Sequence, residues 1–220
     1  MGSSASIVVK EKLFRMSLAR AYLGMQCFWG ESAFAKLKGV KKTRVGYAGG
    51  TTPNPTYSSI GDHTEVTEVQ FDPAEISYRE VLDFFWTHHD PAQHRKKQYQ
   101  SAILYETDDE KKIAHETYAK AKTMYGDIET YVVKLVKFYQ AENYHQKYWF
   151  RNKKEFFNEL KLSDDEVANS ELAAKMNAYC AGYTDFSELE ALKEKHGLSE
   201  SFVTRVKDYA LSGGDVRACH

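Results

Sequence analysis

Two hydrophilic tetrads constrain most of what this chain can fold into. Ser77-Tyr78-Arg79-Glu80 and Thr107-Asp108-Asp109-Glu110 each set a hydroxyl residue three positions before a glutamate, the capping box that opens a helix. A strand-like segment precedes each one. Glu65-Val66-Thr67-Glu68-Val69-Gln70-Phe71 alternates polar with apolar and stops at Asp72-Pro73, which predicts a half-buried strand. Ser101-Ala102-Ile103-Leu104-Tyr105 predicts another. From Tyr78 a helix runs through Val81, Leu82, Phe84, Phe85 and Trp86 to about His88, where Asp90-Pro91 stops it. From Thr107 a longer helix holds Ile113, Ala114, Tyr118, Ala121 and Tyr125 on one face and ends at Gly126. A strand, Tyr131 to Val136, follows. Nearer the start, Ala19 to Gly24 alternates like a short strand, Phe34, Leu37 and Val40 recur at helical spacing, and Lys42 to Tyr47 reads as a second strand. The order strand, helix, strand, strand, helix, strand is that of a split βαβ unit. The class is therefore α+β, a mixed, ferredoxin-like sheet with helices packed on one face.

With 220 residues the chain can bury one sizeable core, or one core plus a helical appendage. Beyond about residue 160 it turns charge-rich and helical: Ser163-Asp164-Asp165-Glu166 is a third capping box, Gly197 a helix stop, and Ser199 to Leu211 a last helix before Gly213-Gly214. The expected division is a flexible segment 1–17, a catalytic domain 18–160 and a helical extension 161–220 with a cysteine-bearing tail. The formal net charge of -1 offers no field for nucleic acid or an anionic membrane. Three cysteines are too few for a secreted disulfide framework, and there is neither an export signal nor an apolar run of membrane length. A soluble, cytoplasmic protein in a reducing compartment is expected. Met1-Gly2-Ser3-Ser4-Ala5-Ser6 also fits the N-myristoylation pattern at Gly2, although cloning leaves similar serine-rich starts and one chain anchors only weakly.

Chemistry enters at Met25-Gln26-Cys27-Phe28-Trp29-Gly30-Glu31, where a cysteine and two aromatics follow the first strand. At a helix N-terminus the backbone N–H groups favour thiolate over thiol, making Cys27 a candidate nucleophile; the bland reading is a buried small hydrophobe. A second segment, Val45 to Tyr57, packs glycines and prolines into one organised loop.

Together these segments resemble the A-type peptide methionine sulfoxide reductases. The resemblance rests on Cys27-Phe28-Trp29-Gly30-Glu31, Gly46-Tyr47-Ala48-Gly49-Gly50, Asn54-Pro55-Thr56-Tyr57, His63-Thr64-Glu65, His89-Asp90-Pro91, Gln98-Tyr99 and Ala141-Glu142-Asn143-Tyr144-His145-Gln146, in family order over roughly residues 18 to 152. It implies that Cys27 attacks the sulfoxide sulfur and finishes as sulfenic acid. Phe28 and Trp29 wall the methyl group. Glu65 protonates the oxygen, for which its surroundings must keep it protonated, and the Tyr57 and Tyr99 phenols hydrogen-bond that oxygen. Read without the resemblance, Glu65 is a strand's solvent face and the aromatics are packing residues.

A sulfenic acid needs a thiol to clear it, and Cys180 and Cys219 are the candidates. Ala178-Tyr179-Cys180-Ala181-Gly182 faintly echoes the family's resolving element, whereas Cys219 lies on a tail that Gly213 and Gly214 let bend. An external thiol is the alternative. By resemblance the reductant is thioredoxin or a similar dithiol, the substrate free or protein-bound methionine sulfoxide of the S epimer, and no bound cofactor is needed.

Two departures stand out: Gln26 replaces a glycine, and His94-Arg95-Lys96-Lys97 offers no counterpart to the family's substrate-binding aspartate, which predicts an altered preference among peptide contexts. Three rival functions are open. A metal site would draw on His88, His89, Asp90 and His94, but adjacent histidines on a helix point apart. A non-catalytic binder of oxidised methionine would not need a nucleophile, and a thiol peroxidase would not need the aromatic pair.

Overall fold

The computed structural model describes residues 17–25, 27–215 and 217, with the backbone alone at Cys27. Gly2, Gln26, Cys219 and the 1–17 segment up to Met16 lie outside the described residues. Strand β1 (Ala19–Gly24) leads into helix α1 (Cys27–Ala35), then β2 (Val40–Ala48), β3 (Thr64–Phe71), α2 (Tyr78–Thr87), β4 (Ala102–Tyr105), α3 (Asp108–Tyr125), β5 (Tyr131–Lys134) and β6 (Tyr139–Gln140). The sheet order is β5-β4-β1-β3-β2-β6. Its central four strands are antiparallel to their neighbours, with β5 added parallel to β4 through α3 and β6 antiparallel on the far edge. This is the expected split βαβ plan, extended at both edges.

The capping boxes at Ser77, Thr107 and Ser163 all form, each hydroxyl accepting from the N–H three residues on. Helix α3 stops at Gly126 with φ of 79°, a conformation that costs glycine little. Two expectations need correction. Val40 is not on the first helix but opens β2, because α1 ends at Ala35 and Gly39 turns the chain at φ of 87°. β3 is not half-buried but covered on both faces, since Val69 and Phe71 pack under the helices on one side of the sheet and Val66 under the segment carrying Leu135 and Phe138 on the other.

On one face Ala21, Leu23, Val69, Phe71 and Ile103 pack against Phe34 of α1, Val81, Leu82 and Phe85 of α2, and Ala114 and Ala121 of α3. The other face carries Tyr22, Val66, Ala102 and Leu104, continued by Tyr131 and Val133 of β5, and the chain's own Leu135 and Phe138 pack against it. Gly46 makes this cover possible: a Cβ there would come within 2.4 Å of the Phe138 ring. Glu68 is buried on that second face and held by the Tyr22 phenol, Arg44 and Gln70; burial pushes its carboxyl up, but these partners hold it below the usual carboxylate value.

After β6 come α4 (Tyr148–Asn152), α5 (Lys154–Leu160), α6 (Asp164–Asn169), α7 (Glu171–Cys180), α8 (Leu189–His196) and α9 (Glu200–Leu211). Helix α7 is buried along nearly its whole length and is the hub of this cluster. Its Ala174 and Ala178 meet Ala35, small residues that let α7 lie close to α1. The helical part is therefore packed onto the helix that begins at Cys27.

His89 ties the end of α2 to the sheet: Nδ1 donates to the Phe85 carbonyl at 2.7 Å, and Nε2 lies 2.6 Å from Ser101 Oγ, itself 2.7 Å from Thr130 Oγ1. Burial pushes its pKa down to about 4 from an ordinary 6.5. The folded protein thus binds fewer protons than the unfolded chain between these values. Stability conferred above pH 6.5 should drain away as pH falls toward 4, by an amount on the order of 3 kcal/mol. Urea unfolding at intervals across that window checks this, and His89→Gln should flatten the slope there.

Candidate active site

Where β1 gives way to α1, Gly30 lets the first helical turn close on the strand end, because a Cβ there would lie 2.2 Å from the Met25 carbonyl oxygen. The backbone of Cys27 is the first residue of that helix, where the N–H groups lack partners within the helix and the dipole is positive. Glu31, one turn on, is wholly buried. Its carboxylate accepts from Lys147 Nζ at 2.8 Å, from the Lys147 N–H at 2.8 Å and from the Thr43 hydroxyl at 3.2 Å. Lys147 also donates to the carbonyls of Thr43, at 2.6 Å, and Ala168. Burial lowers the pKa of its ammonium, with Glu31 opposing.

Leu23 stands opposite Thr67 in the β1–β3 ladder, and Glu65 lies two residues toward the start of β3 on the same face. That register sets Glu65 beside the turn carrying Cys27. Its side chain is 3% exposed, which removes the solvent-face reading. Gln98 Nε2 donates to Oε1 at 2.5 Å, whereas Oε2 is buried with no hydrogen-bond partner. Gln98 comes from a 3₁₀ turn, Lys97–Tyr99, pinned to β3 by the Thr64 hydroxyl donating to the Lys97 carbonyl at 2.8 Å.

The same turn delivers Tyr99, whose phenol oxygen is 3.4 Å from that of Tyr57. Tyr57 is 43% exposed, with its ring 4.7 Å from the His145 ring. Its N–H donates to Glu142 Oε1 at 2.9 Å, and Glu142 Oε2 accepts from the Tyr47 phenol at 2.7 Å. Burial raises the Glu142 carboxyl, but these bonds outweigh it and hold the pKa below the usual range. Tyr47 is the register partner of Glu65. One carboxylate thus joins the loop carrying Tyr57 to the sheet beside Glu65.

Phe28 stacks on Tyr148 at 3.9 Å, and Phe28 and Trp29 meet Trp149 edge-on at 6.3 and 5.5 Å. Trp149 Nε1 donates to the Phe28 carbonyl at 3.2 Å. His145 completes this aromatic wall, 6.2 Å from Phe28, with Nε2 buried and unpartnered. Phe28, Tyr57, Tyr99 and Glu65 therefore gather around the start of α1.

The glycine-rich loop is held by its own second half. His63 Nδ1 accepts from the Gly50 N–H at 3.1 Å while Nε2 donates to the Thr52 carbonyl at 2.7 Å. Asp62 accepts from the N–H and hydroxyl of both Thr51 and Thr52, which holds its carboxyl well below the usual value. Gly49, at φ of 82°, leaves room for the Tyr131 hydroxyl, which a Cβ would meet at 2.7 Å.

Cys180 is buried at the end of α7, in the cluster that holds Trp149, Phe156 and Val206, and burial pushes its thiol well above the ordinary value. Among the described residues no three His, Cys, Asp or Glu side chains converge as metal ligands. His88 donates to the Phe84 carbonyl and stacks on the Phe84 ring, while His89 is engaged with Phe85 and Ser101. Several residues of the site had no role in the sequence reading. Glu142 and His145 were visible only as a motif, and Lys147 and Tyr148 gave no signal, since lysine is ordinarily exposed and tyrosine abundant.

The α+β sheet thus ends in an aromatic wall of Phe28, Tyr148, Trp149 and His145 at the helix that Cys27 opens. The family model for peptide methionine sulfoxide reductase matches residues 19–176. A peptide methionine sulfoxide reductase of Drosophila melanogaster is 40% identical over 186 residues, covering 82% of this chain and 76% of that one. One of Brassica napus is 41% identical over 140 residues, 58% of this chain and 54% of its own length, so the match spans about half of the plant protein. The solved structure of methionine sulfoxide reductase A of Corynebacterium diphtheriae superposes with a TM-score of 0.55 at 33% identity, covering 63% of this chain and 76% of that one. The chain belongs to the peptide methionine sulfoxide reductases, oxidoreductases that act on methionine sulfoxide. Among the described residues no helix is long and apolar enough to cross a membrane.

Removing the Asp62 carboxylate takes the acceptor from four donors at once. Asp62→Ala should speed amide hydrogen exchange at Thr51 and Thr52 by at least about tenfold, while exchange in β1 and β3 stays unchanged. Mass-resolved exchange of the two proteins checks it.

Proposed function

We propose that Cys27 reduces methionine sulfoxide, free or in proteins, by taking its oxygen. The observation that carries this reading is the buried, unpartnered Glu65 Oε2 beside the turn where Cys27 begins α1. A carboxyl so placed is poised to give a proton to a substrate oxygen, with Gln98 fixing its other oxygen. The Cys27 thiolate attacks the sulfoxide sulfur while Glu65 protonates the departing oxygen. Tyr57 and Tyr99, with hydroxyls 3.4 Å apart, donate to that oxygen as it gains negative charge. Phe28 and Trp29 hold the methyl group. The thiolate's attack joins the two sulfurs. The protonated oxygen then passes to the Cys27 sulfur as the bond between the sulfurs breaks with its electron pair on the methionine sulfur. Cys27 ends as sulfenic acid, its two-electron oxidation balances reduction of the sulfoxide, and methionine leaves.

Cys219 then attacks the Cys27 sulfur, the S–O bond breaks, and hydroxide leaves as water with the Cys219 proton. A thioredoxin-like dithiol reduces the disulfide by exchange. Burial of Cys180 supports Cys219 over it as the resolving thiol. The reading includes the S epimer as substrate, no bound cofactor, a cytoplasmic setting and repair of oxidised proteins.

Single turnover without reductant tests the roles. Cys27→Ser should release no methionine. Glu65→Gln should keep substrate affinity but lose about 10²–10⁴-fold in rate, the usual contribution of one proton donor. A Glu65→Gln variant as fast as wild type removes Glu65 from the chemistry.

A further inference from the structure

The buried stripe of α3, Ala114, Thr117 and Ala121, continues at the same spacing to Met124 in the helix's last turn. There the packing against α2 is incomplete: a groove of about 260 Å³ lies between the two helices, lined by Asp83, Trp86 and Thr87 of α2 and by Thr117, Ala121 and Met124 of α3. Met124 is left 62% exposed, whereas Met25 is 4% exposed and Met176 wholly buried. A thioether so placed meets an oxidant in solution before the other described methionines do. The last turn is also the part of α3 that opens most readily, since its carbonyls have no partners further along the helix and Gly126 ends it at φ of 79°. The chain's own site lies elsewhere. Phe84 of α2 meets Phe34 of α1 at 5.5 Å and Trp86 of α2 meets Tyr118 of α3 at 6.1 Å, so α2 separates α3 from α1, at whose start Phe28, Glu65, Tyr57 and Tyr99 gather. Two helix spacings of about 8–10 Å each are more than a methionine side chain spans.

We propose that Met124 is a renewable oxidation site, a surface thioether that takes an oxygen atom from peroxide and is reduced again by the active site of a second copy of this chain. The proposal rests on the reading of the active site given above. In the first step the Met124 sulfur attacks one oxygen of hydrogen peroxide, the O–O bond breaks, and the other oxygen leaves as water with the peroxide's two protons, which makes the sulfoxide. In the second the sulfoxide loses that oxygen at the second copy's site, and a dithiol supplies two electrons and two protons for a second water. The cycle sums to one peroxide and one dithiol giving two waters and one disulfide, with Met124 unchanged. Oxidation also turns an apolar lip of the groove polar, so reduction restores the surface as well as the residue.

The experiment gives isotope-labelled Cys27→Ser protein a pulse of hydrogen peroxide and maps its methionines by peptide mass spectrometry. Met124 should oxidise at least about tenfold faster than Met25 and Met176, which peroxide reaches only after local opening. The oxidised, labelled chain is then mixed with unlabelled wild type and dithiothreitol, with free methionine sulfoxide as the parallel substrate. About half of the Met124 sulfoxide, the share of one epimer, should return to methionine at a rate proportional to the wild-type concentration, and none without wild type. Met124 oxidised no faster than the two buried methionines overturns the site. Sulfoxide that persists at Met124 while free methionine sulfoxide is reduced overturns its renewal by a second copy. Wild type that reduces neither would instead sink the reading of the active site, and the renewal with it.

Discussion

The pair formed by Glu31 and Lys147 is the contact on which the rest of the structure depends. Both side chains are completely buried, and between them they fasten the middle of α1 to β2 at Thr43, to the chain entering α4, and to the end of α6. Charges taken so far out of water are tolerated only when every lobe is matched, and here the carboxylate accepts three bonds while the ammonium gives up its hydrogens to a carboxylate and two carbonyls. Lys147 also holds a left-handed backbone at φ of 53°, a conformation that costs free energy in a residue other than glycine. The return is positional: α1 carries the cysteine, β2 carries Tyr47, the segment before α4 carries Glu142 and His145, and α4 opens with Tyr148.

Around that anchor the site is built from three separate stretches of chain meeting at one end of the sheet. β3 supplies Glu65, the 3₁₀ turn supplies Gln98 and Tyr99, and the glycine-rich loop, clamped by Asp62 and His63, supplies Tyr57. The aromatic wall is shared with the helical part, since Trp149 touches both Phe28 and Trp29 while packing among residues of α7 and α9. The helices after residue 160 therefore belong to the architecture of the site as well as to the mass of the protein.

Local signals in the sequence were sufficient wherever the structure is decided locally. Capping boxes at Ser77, Thr107 and Ser163, the glycine stops at Gly126 and Gly197, and the strand alternations were all legible, because a hydroxyl, a glutamate or a positive φ acts within a few residues. What sequence pattern could not show is what distant chain does to a segment. β3 alternates like a half-exposed strand, yet Glu65 and Glu68 are buried by partners from elsewhere in the fold. Val40 keeps helical spacing with Phe34 and Leu37, yet Gly39 turns it into β2. Ala174 and Ala178 give no amphipathic stripe because α7 is covered on all sides. The candidate residues Cys27, Phe28, Glu65, Tyr57 and Tyr99 were readable through their motifs, but Lys147 was not, because nothing beside it in the chain marks it for burial.

A double-mutant cycle on Glu31 and Lys147, followed by urea unfolding, tests the central claim most directly. Lys147→Met should cost about 3–5 kcal/mol by stranding a buried carboxylate, and adding Glu31→Gln should recover a large part of that loss. Strictly additive effects would contradict the account, since they would mean that the two groups do not hold α1 in place through each other.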